Sequence, residues 1–392
     1  MNYISTRGKI EPVSSTYAAA NIYTADGGLY TPERMLKMDN DDFIHLAWLS
    51  HRRRTAYLFG KHMKEVYIGL VAKFGDKSFD PQDFGENIIR ISERDGKYFM
   101  DMSHGPSGSV SDITLRPLPV VFEYCLTATG KGGHHIYGYD IEPDGRWEPL
   151  ILIPSAGDEA LAIIDSVKRL TNGKAAVLYP INGTSEANRR LLEEKQDEED
   201  IIVRGMNADI NEISHYITTY IKSKKSTGVD GLYPMRADGQ SWFGIITQAA
   251  CFISAYCEML LKNYIEIGEW IDFSIAHEDT LEMATAAFYA KGWGLMADKI
   301  ICPAPEGSVL HRLVTDGELV SDCVKDGTFK SVALERLLYG AAAFAGGADG
   351  FIANVLDGLA ADDRFILPEN VAGKLREAFC FGDRGRNKTI VI

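Results

Sequence analysis

The chain has 392 residues, of which 45% are hydrophobic and 24% charged, and its formal net charge is −14. This composition excludes a disordered or fibrous chain and predicts a globular protein of two or three domains with a large core. An acidic surface repels nucleic acid and anionic lipid, so we expect no nucleic acid and no membrane as partner.

The cysteines and the apolar segments favour a cytoplasmic protein. The six cysteines form no CxxC pair and most lie in apolar runs, as buried free thiols do in a reducing compartment. No charged-then-apolar leader opens the sequence, so no secretory signal is predicted. The most apolar stretch, residues 242–261, contains Gln248, Ser254 and Glu258, and we expect a buried helix there rather than a membrane span.

The predicted secondary structure of the first part of the chain differs from that of the rest. The first part predicts a helix over 14–22 entered through serine caps, a turn at 26–30 that leads into an extended piece, and helices over 40–57 and 62–74. From about residue 86 strands and helices alternate, which predicts an α/β fold with a parallel sheet covered by helices on both faces. The expected strands are 149–154, 175–179, 201–204, 270–275 and 299–302, and the expected helices are 159–170, 185–195, 210–222, 248–261 and 281–291.

Two segments are predicted to connect regular secondary-structure elements. Residues 127–147 are glycine-rich but lack the spacing of a phosphate-binding P-loop, so a flexible loop or hairpin is expected. Residues 222–229 are polar and poor in helix formers, which predicts a connection between lobes.

The N-terminus carries two short motifs, YISTRG at 3–8 and DGGLYTPE at 26–33. In their order and spacing these motifs resemble the first segments of the threonine synthases. Further matches are HGPS at 104–107, LYP with a following glycine and serine at 178–185, FYAKGWGL at 288–295, and residues 309–313 and 335–338. The resemblance implies fold type II, the two-lobed α/β architecture of the tryptophan synthase β subunit, with an additional N-terminal subdomain.

The resemblance also implies domain boundaries. We expect an N-terminal threonine-synthase-type subdomain at 1–85, an α/β lobe at 86–222 and a second α/β lobe at 223–392. The family's late segments DPHTAVG and TAHPAKF have no counterpart, so the second lobe is expected to be C-terminally shortened.

The residue that should bind the family's cofactor is replaced. Threonine synthases are lyases that exchange the phosphate of O-phosphohomoserine for hydroxyl, with pyridoxal phosphate held as a Schiff base by the lysine of an HGPTxAFKD segment. Residues 104–112 read HGPSGSVSD, so Ser111 stands at the lysine position and Asp112 follows it. A hydroxyl cannot form an imine. We therefore expect no pyridoxal phosphate and no other cofactor.

The family's phosphate-binding loop is also replaced. Its GNFG-type glycines are matched by Asp279, Thr280, Leu281 and Glu282, with His277 and Glu278 before them. One pair of like charges 4 Å apart costs roughly 4 kcal/mol at an effective dielectric of 20, so acids here oppose a phosphate. His277, Glu278 and Asp279 are weak candidates for a metal site, but helix capping is the favoured interpretation and no metal is expected.

The substrate loops keep part of the family pattern. An SGDTG-type loop becomes Ser155 to Ala160, which retains Gly157 and Asp158 but has Glu159 in place of threonine. An SINWAR segment becomes residues 239–244, which retain Trp242 but have Gly244 in place of arginine. Ser155, Gly157, Asp158, Glu159 and Trp242 are the predicted substrate-binding residues.

Two hypotheses for function remain open. In the first, the cleft between the lobes binds a different small molecule, amino-acid-like or cationic, or carries a cofactor-independent reaction with Ser111, Asp112 and His104 as candidate catalytic residues. For Ser111, however, a serine that only fills the lysine's place is the favoured interpretation. In the second, the chain is a non-catalytic pseudoenzyme that acts as an interaction or regulatory partner, for example as a homodimer. An open polar cleft would favour the first hypothesis, and a filled cleft the second.

Overall fold

The computed structural model describes most of the chain. The described residues are 1–8, 10–64, 66, 68–130, 148–155, 157–170, 172–197, 199–224, 231–237, 239, 241–275, 280–382 and 386–392. His277, Glu278 and Asp279, most of the glycine-rich segment and the connection after Lys224 lie outside them, so the predictions made there are not addressed by the structure.

The N-terminal region is a small strand pair followed by helices. Strands β1 (Tyr3–Ser5) and β2 (Tyr30–Pro32) pair antiparallel. The helices are α1 (Ser15–Ala20), α2 (Asn40–Ala47), α3 (His51–His62), α4 (Ile68–Ser78) and α5 (Pro81–Phe84). The predicted helix over 14–22 is confirmed as α1, and Ser14 caps it by accepting a hydrogen bond from the Tyr17 N–H at 3.2 Å.

The helix predicted over 40–57 is two helices, because a buried arginine binds the end of the first. Arg54 is fully buried, and its Nε and Nη2 donate to the carbonyl oxygens of Leu46 and Ala47 at 2.9 and 3.1 Å. These bonds satisfy carbonyls that the last turn of α2 leaves without helical partners. The helix predicted over 62–74 was likewise misplaced: His62 ends α3, and α4 begins at Ile68.

The middle of the chain contains the predicted parallel sheet. A hairpin of β3 (Arg90–Arg94) and β4 (Lys97–Asp101) comes first, followed by α6 (Ser111–Thr114) and α7 (Pro117–Gly130). Then follow β5 (Glu148–Pro154), α8 (Asp158–Val167), β6 (Lys174–Pro180), α9 (Glu186–Glu194), β7 (Ile201–Met206), α10 (Ile210–Lys224) and β8 (Leu232–Arg236). The four strands are parallel in the order β7-β6-β5-β8, as strand-helix alternation predicts.

The remaining elements build the second α/β part. They are α11 (Trp242–Leu261), β9 (Ile271–Ser274), α12 (Thr280–Gly292), β10 (Ala297–Ile301), α13 (Val309–Thr315), β11 (Glu318–Val320), β12 (Val324–Lys325), β13 (Thr328–Phe329), α14 (Val332–Phe344), α15 (Phe351–Ala361), β14 (Arg364–Ile366), α16 (Glu369–Ala378), β15 (Phe379–Cys380) and β16 (Lys388–Val391). The helix predicted over 248–261 begins six residues earlier, because Ser241 caps it through the Gly244 N–H at 3.0 Å.

A six-stranded sheet joins distant parts of the sequence. Its order is β15-β10-β9-β16-β4-β3, and β16 lies between β9 and β4, parallel to both. Ile390 pairs with Phe273 on one side and Tyr98 on the other, and its side chain is fully buried. The last strand therefore joins the hairpin from the middle of the chain to strand β9.

Helix α11 lies at the centre of the molecule. Among the described residues it is long and apolar enough to cross a membrane, but 83% of its apolar window is buried inside the protein. Its N-terminal part packs against α6 and α12, and its middle packs against α2 and α3. The expectation of a buried core helix is confirmed. The six cysteines are free and buried.

We predict that β16 carries much of the stability of this sheet. Ile390→Ala should lower the free energy of unfolding by about 2–5 kcal/mol, because it removes a fully buried side chain from a central strand. Ile366→Ala is the matched control, since Ile366 is 65% exposed and its truncation should cost no more than about 0.5 kcal/mol. Urea denaturation of both variants measures the difference. Equal, small losses would mean that β16 is not integral to the sheet.

Candidate functional site

The loop from His104 to Asp112 connects the hairpin to α6 and contains several hydrogen bonds of its own. His104 Nε2 lies 3.1 Å from Asp101 Oδ2. Asp112 Oδ2 accepts hydrogen bonds from the Ser107 N–H at 2.7 Å and from the Ser107 hydroxyl at 2.8 Å. Ser111 opens α6, is 7% exposed, and donates its N–H to Ser109 Oγ at 3.3 Å.

Among the described residues these contacts do not form a serine–histidine–aspartate relay. Asp112 Oδ2 accepts hydrogen bonds from Ser107, and His104 Nε2 lies 3.1 Å from Asp101 Oδ2 without a hydrogen bond, so neither is bonded to the Ser111 hydroxyl. Gly105 allows the loop to fold this tightly, since a Cβ there would lie 2.3 Å from the Asp112 Cβ. The loop brings His104, Ser111 and Asp112 into one segment, and their catalytic roles stay a prediction.

Asp112 is a buried carboxyl with one unused oxygen. The residue is fully buried, and in the described part of the chain its Oδ1 has no hydrogen-bond partner. Burial raises the pKa of the Asp112 carboxyl, against the opposing effect of the two hydrogen bonds from Ser107. Gly105, Ser107 and Asp112 thus pack closely together, and burial disfavours the negative charge of the Asp112 carboxylate.

The predicted substrate loop lies where β5 ends and α8 begins. Ser155 is buried and its Oγ accepts a hydrogen bond from the Gly157 N–H at 3.3 Å, while Gly157 is the N-terminal cap residue of α8. Asp158 and Glu159 occupy the first turn of α8 and are exposed to solvent. This is the carboxyl end of a parallel strand, the edge at which open α/β sheets bind ligands.

The start of α11 is pinned by polar side chains. Thr247 Oγ1 donates to the Thr114 carbonyl oxygen at 2.6 Å and ties α11 to the helix that Ser111 opens. Gln248 Nε2 donates to the Gly239 carbonyl oxygen at 2.9 Å. Gly244 packs directly on that carbonyl, because a Cβ at position 244 would lie 2.4 Å from the Gly239 oxygen. A side chain at 244 therefore cannot fit without moving the backbone at 239.

Trp242 lies in the core. It is 1% exposed, and its ring packs edge-on against Tyr289 with centroids 5.1 Å apart and lies near His62 and Trp293. The residue predicted to bind substrate is thus turned away from solvent.

The first turn of α12 carries the described part of the segment that we predicted to replace the phosphate loop. Thr280 begins α12, and the half-buried Leu281 packs against the core. Glu282 Oε2 lies 3.6 Å from the position that a Cβ on Gly239 would occupy, and Leu115 Cδ2 lies 3.2 Å from it. The structure therefore brings the loop at 239, Gln248, Leu115 and Glu282 together.

Gln248 and Leu115 were not among the predicted site residues. A polar amide within an otherwise apolar helix was the sequence signal for Gln248, since such a group needs a partner when buried. In the described part of the chain, no group of three or more His, Cys, Asp or Glu residues is arranged to hold a metal ion.

Comparison with known proteins gives a consistent result. Residues 2–68 match the family model described as threonine synthase N terminus. Threonine synthase-like 1 of Mus musculus is 24% identical over 322 residues, which cover 79% of this chain and 41% of that protein. Threonine synthase of Pseudomonas aeruginosa is 20% identical over 409 residues, covering 100% of this chain and 79% of that protein. The matched part therefore spans about two fifths of the mouse relative's length.

The solved structures that resemble the chain show its fold. The pyridoxal-phosphate-bound threonine synthase from Brucella melitensis superposes with a TM-score of 0.76 at 16% identity, covering 99% of this chain and 78% of that one. The yeast threonine synthase gives a TM-score of 0.76 at 16% identity, covering 100% of this chain and 76% of that one. The predicted fold type II architecture is confirmed.

We predict that Gly244 is required by packing. Gly244→Ala should destabilise the protein by about 1–3 kcal/mol, because its methyl group would overlap the Gly239 carbonyl. Gly373→Ala, also within a helix but with nothing within 4 Å of its added carbon, should be neutral or stabilise by up to about 1 kcal/mol. Thermal and urea unfolding of both variants separate the two effects. A neutral Gly244→Ala would show that the backbone at 239 yields.

We predict a pH-dependent difference between the wild type and Asp112→Asn. Because burial raises the folded-state pKa of Asp112, the native state holds this proton more tightly than the unfolded chain does. The contribution of this group to stability is full below the unfolded pKa, and it is lost as pH rises through the folded pKa. Relative to the non-titrating Asp112→Asn, the wild type should therefore lose stability as pH rises from about 4 towards neutrality.

Urea denaturation at a series of pH values measures this difference. Asp158→Asn is the control, since Asp158 is exposed at the start of α8. A constant gap between the wild type and Asp112→Asn across the pH range would contradict the prediction.

Proposed function

We propose, from the premise that this chain belongs to the threonine synthase family, that it neither holds pyridoxal phosphate nor synthesises threonine. Its inter-lobe cleft instead takes a different, amino-acid-like ligand, bound without that cofactor. The observation that carries this proposal is Ser111, which stands where the family's HGPTxAFKD motif has its lysine. A serine hydroxyl cannot form the imine that holds the cofactor and cannot shuttle protons as an amine does.

The residues around this position fit neither the family's substrate nor its cofactor. The family's substrate segment has an arginine where this chain has Gly244, and the 2.4 Å approach of a Cβ at 244 to the Gly239 oxygen leaves no room for that side chain. Glu282 lies in the first turn of α12 and is the last residue of the segment that matches the phosphate loop. A carboxylate there repels a phosphate, whereas the family's glycines would attract one.

The negative charge of the candidate site supports a ligand with a cationic group. Asp158 and Glu159 are exposed at the start of α8, and the whole chain has a net charge of −14. Acidic groups around a cleft attract cations and disfavour a phosphorylated substrate. An amino acid, whose ammonium group is cationic, is compatible with such a site.

The bonding of the candidate catalytic residues favours a second candidate function. Asp112 accepts hydrogen bonds from Ser107 and His104 lies beside Asp101, so among the described residues neither of the two is hydrogen-bonded to the Ser111 hydroxyl. This arrangement suits a non-catalytic protein that acts as an interaction or regulatory partner. Exposed apolar side chains on one face of α2, Ile44 at 45% and Trp48 at 80%, support a binding partner or a homodimer.

We predict that the protein does not form an aldimine at this site. Purified protein incubated with pyridoxal phosphate should show no visible aldimine band beyond that of surface lysines. Ser111→Lys should not add one, because the site would still be acidic and closed at Gly244. Absorbance spectra, followed by borohydride reduction and peptide mapping, test both variants. A pyridoxyl group mapped to position 111 of Ser111→Lys, with a stable cofactor band, would contradict the claim that the phosphate site is lost.

A further inference from the structure

Helix α2 exposes apolar side chains on one side. Asn40, Ile44 and Trp48 follow one another at four-residue spacing, so they lie on the same side of the helix over a length of about 12 Å. Ile44 and Trp48 are exposed, whereas Phe43 and Leu46 turn another side of α2 into the core. A tryptophan ring usually buries about 150–250 Å² in a core or an interface, so a ring that is 80% exposed indicates a surface for a partner.

The loop after α11 extends this side of α2. The Tyr256 hydroxyl accepts a hydrogen bond from the Gly268 N–H at 3.1 Å, which holds the loop on α11. A Cβ on Gly268 would lie 3.8 Å from Asn40 Nδ2, so the loop meets α2 at the side that carries the exposed residues. Ile267 and Trp270 of this loop are also exposed to solvent. The apolar patch is defined here as Ile44, Trp48, Ile267 and Trp270.

The charge around the apolar patch limits what can cover it. In the described segments 37–48 and 264–270, three acidic side chains are exposed, namely Asp39, Asp41 and Glu266, against Lys37 as the exposed basic one. A second copy of the chain would bring the same acids face to face, because a two-fold contact pairs each patch with itself. An anionic lipid surface is repelled in the same way. A partner with basic side chains is attracted, and their aliphatic stems can lie over the exposed rings.

We infer that the apolar patch docks an amphipathic helix of a partner protein. The apolar side chains of that helix lie on Ile44 and Trp48, and its basic side chains face Asp41 and Glu266. A helix fits because side chains four residues apart on α2 form a ridge, and such ridges pack into the grooves of a second helix. The inference rests on the second candidate function and deepens it by naming the kind of partner, and it is independent of the ligand of the cleft.

Isothermal titration of the full chain with synthetic peptides tests this docking surface. The probe is a peptide of about 14 leucine and lysine residues in the order of an amphipathic helix. Two counterparts carry glutamine or glutamate at every lysine position and keep the same leucines. We expect the dissociation constant to rise by about threefold or more from the lysine to the glutamine peptide, and again to the glutamate peptide, because the acids around the patch attract only the first.

Substitutions in the patch test whether the peptide binds there. The double variant Ile44→Ser/Trp48→Ser removes the apolar contacts on α2, so the lysine peptide should bind it about tenfold more weakly or not at all. Tyr216→Ser/Ile366→Ser is the matched control, because these two side chains are exposed on α10 and β14 and their loss should leave binding unchanged.

A second double variant tests the charges and keeps the apolar side chains. Asp41→Asn/Glu266→Gln should bind the lysine peptide about threefold more weakly or less tightly still, and the glutamine peptide with unchanged affinity. This comparison decides the question even if Ile44→Ser/Trp48→Ser fails to fold.

The results that overturn the inference are distinct from those that bear on the cleft. Absence of heat with the lysine peptide, equal affinity for the lysine and glutamate peptides, or unchanged affinity in Ile44→Ser/Trp48→Ser overturns it. Sedimentation of the wild type as a dimer, and of the same variant as a monomer, also overturns it, because a second copy then covers the patch. The second candidate function survives that last result with a different partner. None of these results touches the proposed ligand of the cleft, which titration with amino acids tests separately.

Discussion

The contact between the Gly239 backbone and the first turn of α11 limits what the site can hold. Gly244 lies so close to the Gly239 carbonyl that no side chain fits, and Gln248 fixes the same carbonyl one turn later. Because α11 is buried among the other helices, these contacts hold the Gly239 backbone against the core. They leave no room for a side chain at 244, and they set the direction in which the Gln248 amide points.

The segment with the candidate catalytic residues Ser111 and Asp112 is also held in place by hydrogen bonds. Thr247 bonds the Thr114 carbonyl, so the short helix opened by Ser111 is fixed to α11. Upstream, Ser107 and Asp112 close the preceding loop on itself. Ser111 is thus part of a hydrogen-bonded frame that joins the loop before α6 to α11.

Much of the fold follows from local sequence patterns, and the rest depends on contacts that local patterns do not contain. The strands β5, β6 and β7 were predictable because each is a short apolar run bounded by helical periods. The break between α2 and α3 was not, since it depends on the guanidinium of Arg54 reaching back to carbonyls of the previous helix. The motifs identified Ser111 and Asp112 in the sequence. The hydrogen bond from Gln248 to the Gly239 carbonyl could not be predicted, because no sequence pattern shows which residues lie next to a glycine in the fold.

The position of β16 has a consequence for how the chain reaches its folded state. During synthesis on the ribosome, the β3–β4 hairpin and the β9–β10 pair emerge well before residues 388–391. Each of them then has an unpaired strand edge until β16 is synthesised. An unpaired edge recruits other strands, including those of neighbouring nascent chains. The nascent protein therefore passes through an interval in which its main sheet is split, and a molecular chaperone that shields these edges would have the most effect in that interval.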